Sequence, residues 1–196
     1  YTNLSPVAGY FSTEKARSGN SFNNYSFSAF AGWTAADLLN PAKADGSCGG
    51  SAPIDCEYQN VKPAVAIILI GSNDATGHTP LDAYQASLNR IVEVFIEKGV
   101  IPVLNTIPWN SYNDSGPYNA IIVATARTYD IPLIDLYSAM EQAQNHGVAG
   151  DGVHPTIPPD GNTANFSSEN LQYGATIRNL VTLQMLDALW RQVLSY

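Results

Sequence analysis

The sequence has few charged residues, and positive charges are the scarcest of all. Asp and Glu number 17 against 9 Lys and Arg, which gives a formal net charge of −8 over 196 residues. Without a basic cluster, the chain is a poor partner for nucleic acid or for an anionic membrane surface. The longest apolar run, Ala64 to Ile70, has seven residues, whereas a membrane-spanning helix needs about 20. A 45% share of hydrophobic residues still predicts a folded globular chain forming one domain, 1–196.

Cysteine is equally scarce, with only Cys48 and Cys56. They lie eight residues apart in a Gly/Ser/Pro-rich stretch, which favours a disulfide that closes a surface loop; two reduced thiols are the alternative. No histidine or third cysteine lies nearby in sequence, so we predict no metal site there. The disulfide, the low lysine content and four N-x-S sequons are typical of a secreted or extracytoplasmic protein. The sequons begin at Asn3, Asn24, Asn113 and Asn165.

Strand-like and helix-like segments alternate from Lys62 onward. Apolar runs predict strands at 64–70, 100–104 and 131–136, the first buried on both faces. Periodic apolar residues predict helices at 79–99, about 118–129 and about 168–194. Thr79 is the expected cap of the first helix, Pro80 its first residue and Gly99 its end. A long loop is predicted at about 145–166. This alternation predicts an α/β fold with a parallel sheet, whose chemistry lies in loops beyond the carboxyl ends of the strands.

Three polar clusters fall in suitable loops. Asn73, in the turn GSND after the first strand, can aim its amide into a cleft as an oxyanion donor; an ordinary Asn/Asp turn is the alternative. In the segment DGVHP, Asp151 can hold one imidazole nitrogen of His154 and leave the other free as a general base. A solvated loop histidine is the alternative there, and it is the prediction for His78 and His146. In the segment AGWT a glycine can bring its backbone N–H close to a ligand, or simply permit the turn.

Together these clusters resemble the SGNH hydrolase superfamily, which includes the GDSL-like lipases and esterases. The segment FAGWTAADLL is similar to block two of that family, which would make Gly32 a backbone oxyanion donor. GSND is similar to block three, with Asn73 as the side-chain donor, and DGVHP to block five, with Asp151 as the orienting acid and His154 as the base. The resemblance covers nearly the whole chain. It implies a three-layer α/β/α sandwich with a parallel sheet, the flavodoxin-like SGNH fold, and no metal ion or organic cofactor.

One part of the family pattern is missing. SGNH hydrolases begin with block one, a Gly-Asp-Ser turn after the first strand, and its serine is the nucleophile. Neither Gly-Asp-Ser nor a G-x-S-x-G elbow occurs in this sequence. Ser18 is the only turn-like serine before Gly32, and it is a poor candidate. Because a parallel sheet without its first strand would expose unpaired edges, we expect the serine on a segment that precedes Tyr1. That segment would be cleaved away, or retained as a non-covalent fragment.

With that serine, the resemblance implies hydrolysis of carboxylic esters through an acyl-enzyme. Small-molecule, lipid and glycan esters, including O-acetyl groups of polysaccharides, are the expected substrates. Aromatic loop residues could line a sugar platform or an acyl groove, or they could serve only for packing: Trp33, Trp109, Tyr112 and Tyr118. The alternative function is a non-catalytic SGNH-like shell that binds a glycan. A nucleotide-binding α/β domain is disfavoured, since G-x-G-x-x-G and Walker patterns are absent.

Overall fold

The computed structural model describes residues 1–16, 19–112 and 114–194, so that Ser18 and the sequon at Asn113 lie outside the described residues. In this part of the chain, three strands form one parallel sheet of order β1-β2-β3. The strands are β1 (Val65–Ile68), β2 (Ile101–Asn105) and β3 (Leu133–Ile134). The helices are α1 (Ser5–Thr13), α2 (Ala35–Leu38), α3 (Pro53–Val61), α4 (Ser72–Thr76), α5 (Leu81–Glu97), α6 (Gly116–Thr128), α7 (Leu136–Met140) and α8 (Gly174–Leu189).

The sheet separates two layers of helices. Because successive strand residues point to opposite faces, Leu104 packs with α5 and α6, whereas its neighbour Val103 packs with α7 and α8. On the second side, α1 adds Val7 to a further cluster against α8. Helices α5 and α6 each connect two parallel strands, as a parallel sheet requires. The predicted three-layer α/β/α architecture with a parallel sheet is confirmed.

Helix α5 shows how the sequence pattern sets the packing. Most of its buried residues recur every three or four positions and form one stripe against the core: Tyr84, Leu88, Ile91, Val92 and Phe95. The helix begins at Leu81, so Pro80 precedes it instead of forming its first residue, and Thr79 makes no capping hydrogen bond to it. Beyond its end, Gly99 adopts a left-handed backbone with φ of 71°.

The third strand is shorter than predicted. Asp135 ends it, because its side chain accepts a hydrogen bond from the N–H of Ser138 and caps α7. The residues predicted as the end of a strand therefore begin a helix. The long loop predicted at about 145–166 contains a short 3-10 turn, Gln144–Gly147.

The final helix is also shorter than predicted, because its start is fixed by a distant residue. Gly174 N–H donates to Thr156 Oγ1 at 2.9 Å, and Ala175 N–H donates to the Thr156 carbonyl at 3.0 Å. The residues before Gly174 form a separate 3-10 turn, and a π-helical turn, Trp190–Leu194, follows α8. The loop that contains Thr156 is thereby anchored to the start of α8.

Strand β1 is not buried on both faces, so that prediction was wrong. Ile67 in the strand is 39% exposed, and Leu69, directly after the strand and within the predicted range, is 40% exposed. Among the described strands β1 pairs with β2 alone, and its other edge is open. A cleft of about 990 Å³, here called the β1 cleft, runs along that edge between Tyr10 of α1, Ile54 of α3 and Leu186 of α8. The apolar run indicates that the strand packs, but it does not tell which neighbours cover it.

Cys48 and Cys56 form the predicted disulfide, with their Cα atoms 5.3 Å apart. Phe27 and Ala44 pack against it in a small separate core. None of the helices in the described ranges is long and apolar enough to cross a membrane.

Candidate active site

Asp151 and His154 meet in a tight turn that begins and ends in a backbone bridge between Val148 and Pro155. One carboxylate oxygen of Asp151, Oδ1, accepts hydrogen bonds from the N–H groups of Val153 and His154, each at 3.0 Å. The other oxygen, Oδ2, lies 2.8 Å from Nδ1 of His154. The turn therefore orients the carboxylate and the imidazole together.

These hydrogen bonds also keep Asp151 ionised and select the tautomer of the neutral His154 ring. The N–H groups of Val153 and His154, and then the imidazole, lower the pKa of Asp151 to about 2. At neutral pH the carboxylate is therefore ionised and can only accept, so the neutral imidazole of His154 carries its proton on Nδ1. The lone pair on Nε2 is left to accept a proton. Because the side chain of His154 is 78% exposed, a substrate can reach it.

The loop after β2 supports this turn. Ser111 donates to the carbonyl of Gly152 through its backbone N–H at 2.9 Å and its hydroxyl at 3.3 Å. Gly152 has a φ of 76°, and a Cβ atom there would lie 1.8 Å from Ser111 Oγ. The left-handed backbone therefore favours glycine, and a Cβ atom there would also force the Ser111 side chain to move. The contact connects the Asp151–His154 turn to the carboxyl edge of the sheet, where β2 ends.

The GSND turn follows β1 and lies at the same edge. Gly71 has a φ of 128°, and a Cβ atom there would lie 2.6 Å from the hydroxyl of Tyr84, which donates to the carbonyl of Ile70 at 3.0 Å. Asn73 lies in the first turn of α4 and donates one amide proton to the carbonyl of Trp33 at 2.9 Å. An amide carries two protons, so the second remains for another acceptor.

Asp74 connects the GSND turn, which carries Asn73, to the segment that follows Gly32. It is buried, and its Oδ2 accepts a hydrogen bond from the N–H of Ala35 at 2.9 Å. Burial raises the pKa of Asp74. Together with the bond from Asn73 to Trp33, this bond fixes residues 32–35 against the GSND turn.

Gly32 precedes that segment in a left-handed conformation with φ of 81°. A Cβ atom built on it would meet nothing within 4 Å, so open space lies beside its backbone. In the part of the chain that the structure describes, its N–H has no hydrogen-bond partner. Gly32 can therefore offer a backbone donor to a ligand.

The predicted site residues thus form two groups. Gly32 and Asn73 are connected through Trp33, and Asp151 contacts His154 directly, but no hydrogen bond between described residues joins the two groups. Asn73 lies just after β1, and the Asp151–His154 turn is connected through Ser111 to the loop after β2. The carboxyl ends of β1 and β2 are joined by Asn105, whose amide donates to the carbonyl of Ile68 at 3.1 Å.

Sequence analysis missed the supporting roles of Asn105 and Ser111. The available signal was the run of polar residues that follows the second strand, which is the same signal that singled out Asn73 after the first. The partner of Ser111 could not be predicted from the sequence, because Ser111 and Gly152 are 41 positions apart in the chain.

The other histidines and the aromatic loop residues differ in their surroundings. His78 is exposed, as predicted, whereas His146 is only partly exposed and its ring stacks on Trp109, so its prediction as a solvated loop residue was wrong. Trp33 stacks on Phe30 and lines the β1 cleft. Tyr118 is buried and serves for packing, and Tyr112 is exposed.

The parallel α/β/α fold and these loops define an SGNH-type hydrolase fold. A sequence profile of the GDSL-like Lipase/Acylhydrolase family matches residues 5–157, and the chain belongs to that family. Membership supports ester hydrolysis as its general activity. No curated protein matches the sequence at a significant level.

Solved structures with a similar fold come from several organisms. A GDSL-like lipase from Bacteroides thetaiotaomicron is 20% identical, with a TM-score of 0.57 over 80% of this chain and 72% of that one. A carbohydrate esterase family 3 protein from Talaromyces cellulolyticus is 21% identical, with 0.55 over 80% and 70%. An acetylxylan esterase from Geobacillus stearothermophilus is 19% identical, with 0.55 over 79% and 68%. At these identities the likeness establishes the fold.

Proposed function

We propose that this protein hydrolyses carboxylic esters through a serine acyl-enzyme, with Asp151 as the carboxylate that orients His154 and with His154 as the general base. The observation that carries the proposal is the 2.8 Å contact between Asp151 Oδ2 and His154 Nδ1, which leaves Nε2 on an exposed ring. Gly32 and Asn73 are the proposed oxyanion donors, each with an N–H group left for a ligand. No metal or organic cofactor takes part in this mechanism.

The proposed reaction has two steps, acylation of the serine and hydrolysis of the acyl-enzyme. His154 Nε2 takes the proton from the serine hydroxyl as its oxygen bonds to the ester carbonyl carbon. The carbonyl π electrons move to oxygen, and the oxyanion accepts hydrogen bonds from Gly32 N–H and the second Asn73 amide proton. As the carbon–alkoxy bond breaks, the alcohol leaves with the proton held by His154. Water then repeats the sequence on the acyl-enzyme and releases a carboxylic acid and the free serine.

We infer that the nucleophilic serine lies on a segment that precedes residue 1 and adds a strand to the open edge of β1. The β1 cleft supports this, since it runs along unpaired backbone groups and exposes the apolar side chains of Ile67 and Leu69. A strand added in parallel would end at the same sheet edge as the GSND turn. A non-covalently retained fragment would satisfy the geometry equally well.

The substrate classes that we propose are small-molecule, lipid and glycan esters. Proteins of the same fold include ones described as a lipase, a carbohydrate esterase and an acetylxylan esterase, which supports this range. The Cys48–Cys56 disulfide supports an oxidising compartment, and we propose that the protein is secreted or extracytoplasmic.

The test is hydrolysis of p-nitrophenyl acetate, with His154→Ala to abolish turnover and His78→Ala as the matched control. His78 is an exposed loop histidine outside the proposed site, so His78→Ala should keep the turnover of the parent protein, although it also lacks one exposed imidazole. The same sample is analysed by intact mass spectrometry for a second peptide that contains serine.

Three outcomes are informative. Turnover lost only in His154→Ala supports the mechanism, and a retained peptide would then identify the nucleophile. Equal turnover in both variants contradicts the role of His154. No turnover, even with the preceding segment present, would favour the alternative of a non-catalytic shell that binds a glycan.

A further inference from the structure

A second cavity, of about 490 Å³, lies against the Asp151–His154 turn. Gly150 and Gly152 of the turn line one side, and Trp109 and Ser111 of the loop after β2 line another. The remaining wall includes His146, and this space is called the Trp109 cavity below. It shares its wall with the loop that carries the proposed general base, since Ala149 donates to the His154 carbonyl at 2.8 Å.

The cavity is built around two stacked rings. The ring centroids of Trp109 and His146 are 5.0 Å apart, with planes tilted by 32°. Glu141 approaches Nδ1 of His146 at 3.3 Å. Trp109 also packs against the apolar core between the sheet and α8, which holds the indole in place.

An unusual backbone brings His146 into this position. Asn145, His146 and Gly147 are all left-handed, with φ values of 50°, 54° and 70°. Gly147 cannot be replaced, since a Cβ atom there would lie 2.9 Å from the Cα atom of Gly174. Strained backbone of this kind persists only where its surroundings fix it, and it is concentrated at functional sites. Here its effect is to hold an imidazole over an indole at the rim of the cavity.

The lining selects for one kind of ligand. Trp109 and Ala143 offer apolar surface, while Asn145 and Ser111 offer hydrogen-bonding groups. No lysine or arginine is present among the described residues that line the cavity, so an anionic ligand would find no lysine or arginine charge to pair with. An acyl chain would cover polar groups without satisfying them, which is unfavourable. A neutral sugar ring has both an apolar face for the rings and hydroxyl groups for the polar side chains.

We propose that the Trp109 cavity binds a neutral sugar ring, as the alcohol part of the ester whose acyl group is transferred at His154. This inference rests on the proposed ester hydrolysis, and it narrows the substrate class to acylated carbohydrates. The sugar stacks on Trp109, with Asn145 and Ser111 as hydrogen-bonding partners. Trp109 and His146 then determine specificity and take no part in the proton transfers.

Sugar binding can be measured without turnover, so it does not depend on the nucleophile. Xylotriose and cellotriose are titrated separately into the protein, and the indole N–H signals of its three tryptophans are followed by NMR. We expect the Trp109 signal to shift with one or both sugars, and the signals of Trp33 and Trp190 to stay in place. The affinities of the variants are measured by calorimetry, because Trp109→Phe keeps an aromatic ring but removes the reporter signal; this variant should weaken binding a few fold, and His146→Ala about tenfold. His78 also has a left-handed backbone but does not line the cavity, so His78→Ala is the matched control and should bind as the parent protein does.

The proposal is overturned if neither sugar binds at millimolar concentration, if the Trp33 signal shifts instead, or if both site variants bind like the parent. Sugar binding without ester hydrolysis would leave the sugar site standing and count against the proposed function. Hydrolysis without sugar binding would do the reverse.

Discussion

The two halves of the candidate site are held in place by different means. Gly32 and Asn73 depend on hydrogen bonds between residues 39 and 40 positions apart, one of them to the buried carboxylate of Asp74. Asp151 and His154 depend on bonds between residues two or three positions apart, in a turn that is largely exposed. Substitution in the exposed half, Asp151 and His154, should therefore change chemistry with little effect on folding. Substitution in the half that the buried Asp74 anchors, here called the buried half, should change both chemistry and folding.

The largest effect is expected from Asp151→Asn on ester hydrolysis. Asparagine can still accept the two backbone hydrogen bonds through its oxygen, but its NH₂ would then face Nδ1 of His154. The imidazole would place its proton on Nε2, where the mechanism needs a lone pair. We expect kcat to fall about 10³–10⁴-fold, with the melting temperature at neutral pH only slightly lowered because the turn is exposed.

Asp160→Asn is the matched control for that substitution. Asp160 is also an exposed loop aspartate that accepts a backbone hydrogen bond two positions on. Its variant should retain full turnover. A parallel loss in both variants, or none in Asp151→Asn, would remove Asp151 from the mechanism.

The next largest effect is expected from Asn73→Ala. Loss of one oxyanion donor typically lowers kcat about 10²–10³-fold. The substitution also removes the bond to Trp33, which connects the GSND turn to the segment of Gly32. Steady-state kinetics with p-nitrophenyl acetate should show the change in kcat and little change in KM. Ser72→Ala, one position earlier on α4, should keep its activity. A change confined to KM would assign Asn73 to ground-state binding.

The same contrast between local and distant contacts explains what could be predicted from the sequence. The stripe of α5 and the DGVHP turn depend on residues close together in the chain, and both were predictable. The contact of Asp74 with Ala35 and the start of α8 at Thr156 depend on chain segments that meet only in the fold. The exposure of Ile67 was missed for the same reason, because composition identifies an apolar strand but not its neighbours.

The third prediction tests the buried half through stability. Asp74→Ala leaves the Ala35 N–H without its partner in a buried environment, which should lower the free energy of unfolding by about 1–3 kcal/mol. Chemical denaturation measures this, with Asp82→Ala on the exposed face of α5 as a control expected within about 0.5 kcal/mol. If Asp74→Ala is as stable as its control, Asp74 is not what holds the two oxyanion donors together.

The smallest expected effect is on the pH dependence of stability, to which Asp151 and Asp74 should contribute with opposite signs. The pKa of Asp151 is lowered from 3.8 to about 2, so its contribution to stability is present above pH 3.8 and is lost as the pH falls through 2. Burial raises the pKa of Asp74 above 3.8, with Asp37 adding to the effect. Its contribution is therefore fully present below pH 3.8 and is lost as the pH rises through the raised value.

Melting temperatures of the parent, Asp151→Asn and Asp74→Asn proteins between pH 2 and 7 would reveal the two signs. The advantage of the parent over Asp151→Asn should shrink as the pH falls from 4 to 2. Its advantage over Asp74→Asn should instead shrink as the pH rises from 4. Because solvent screens the exposed pair, the first trend should be the weaker. Two trends of the same sign would mean that burial of Asp74 does not dominate its titration, and the contrast between a buried and an exposed half would fail.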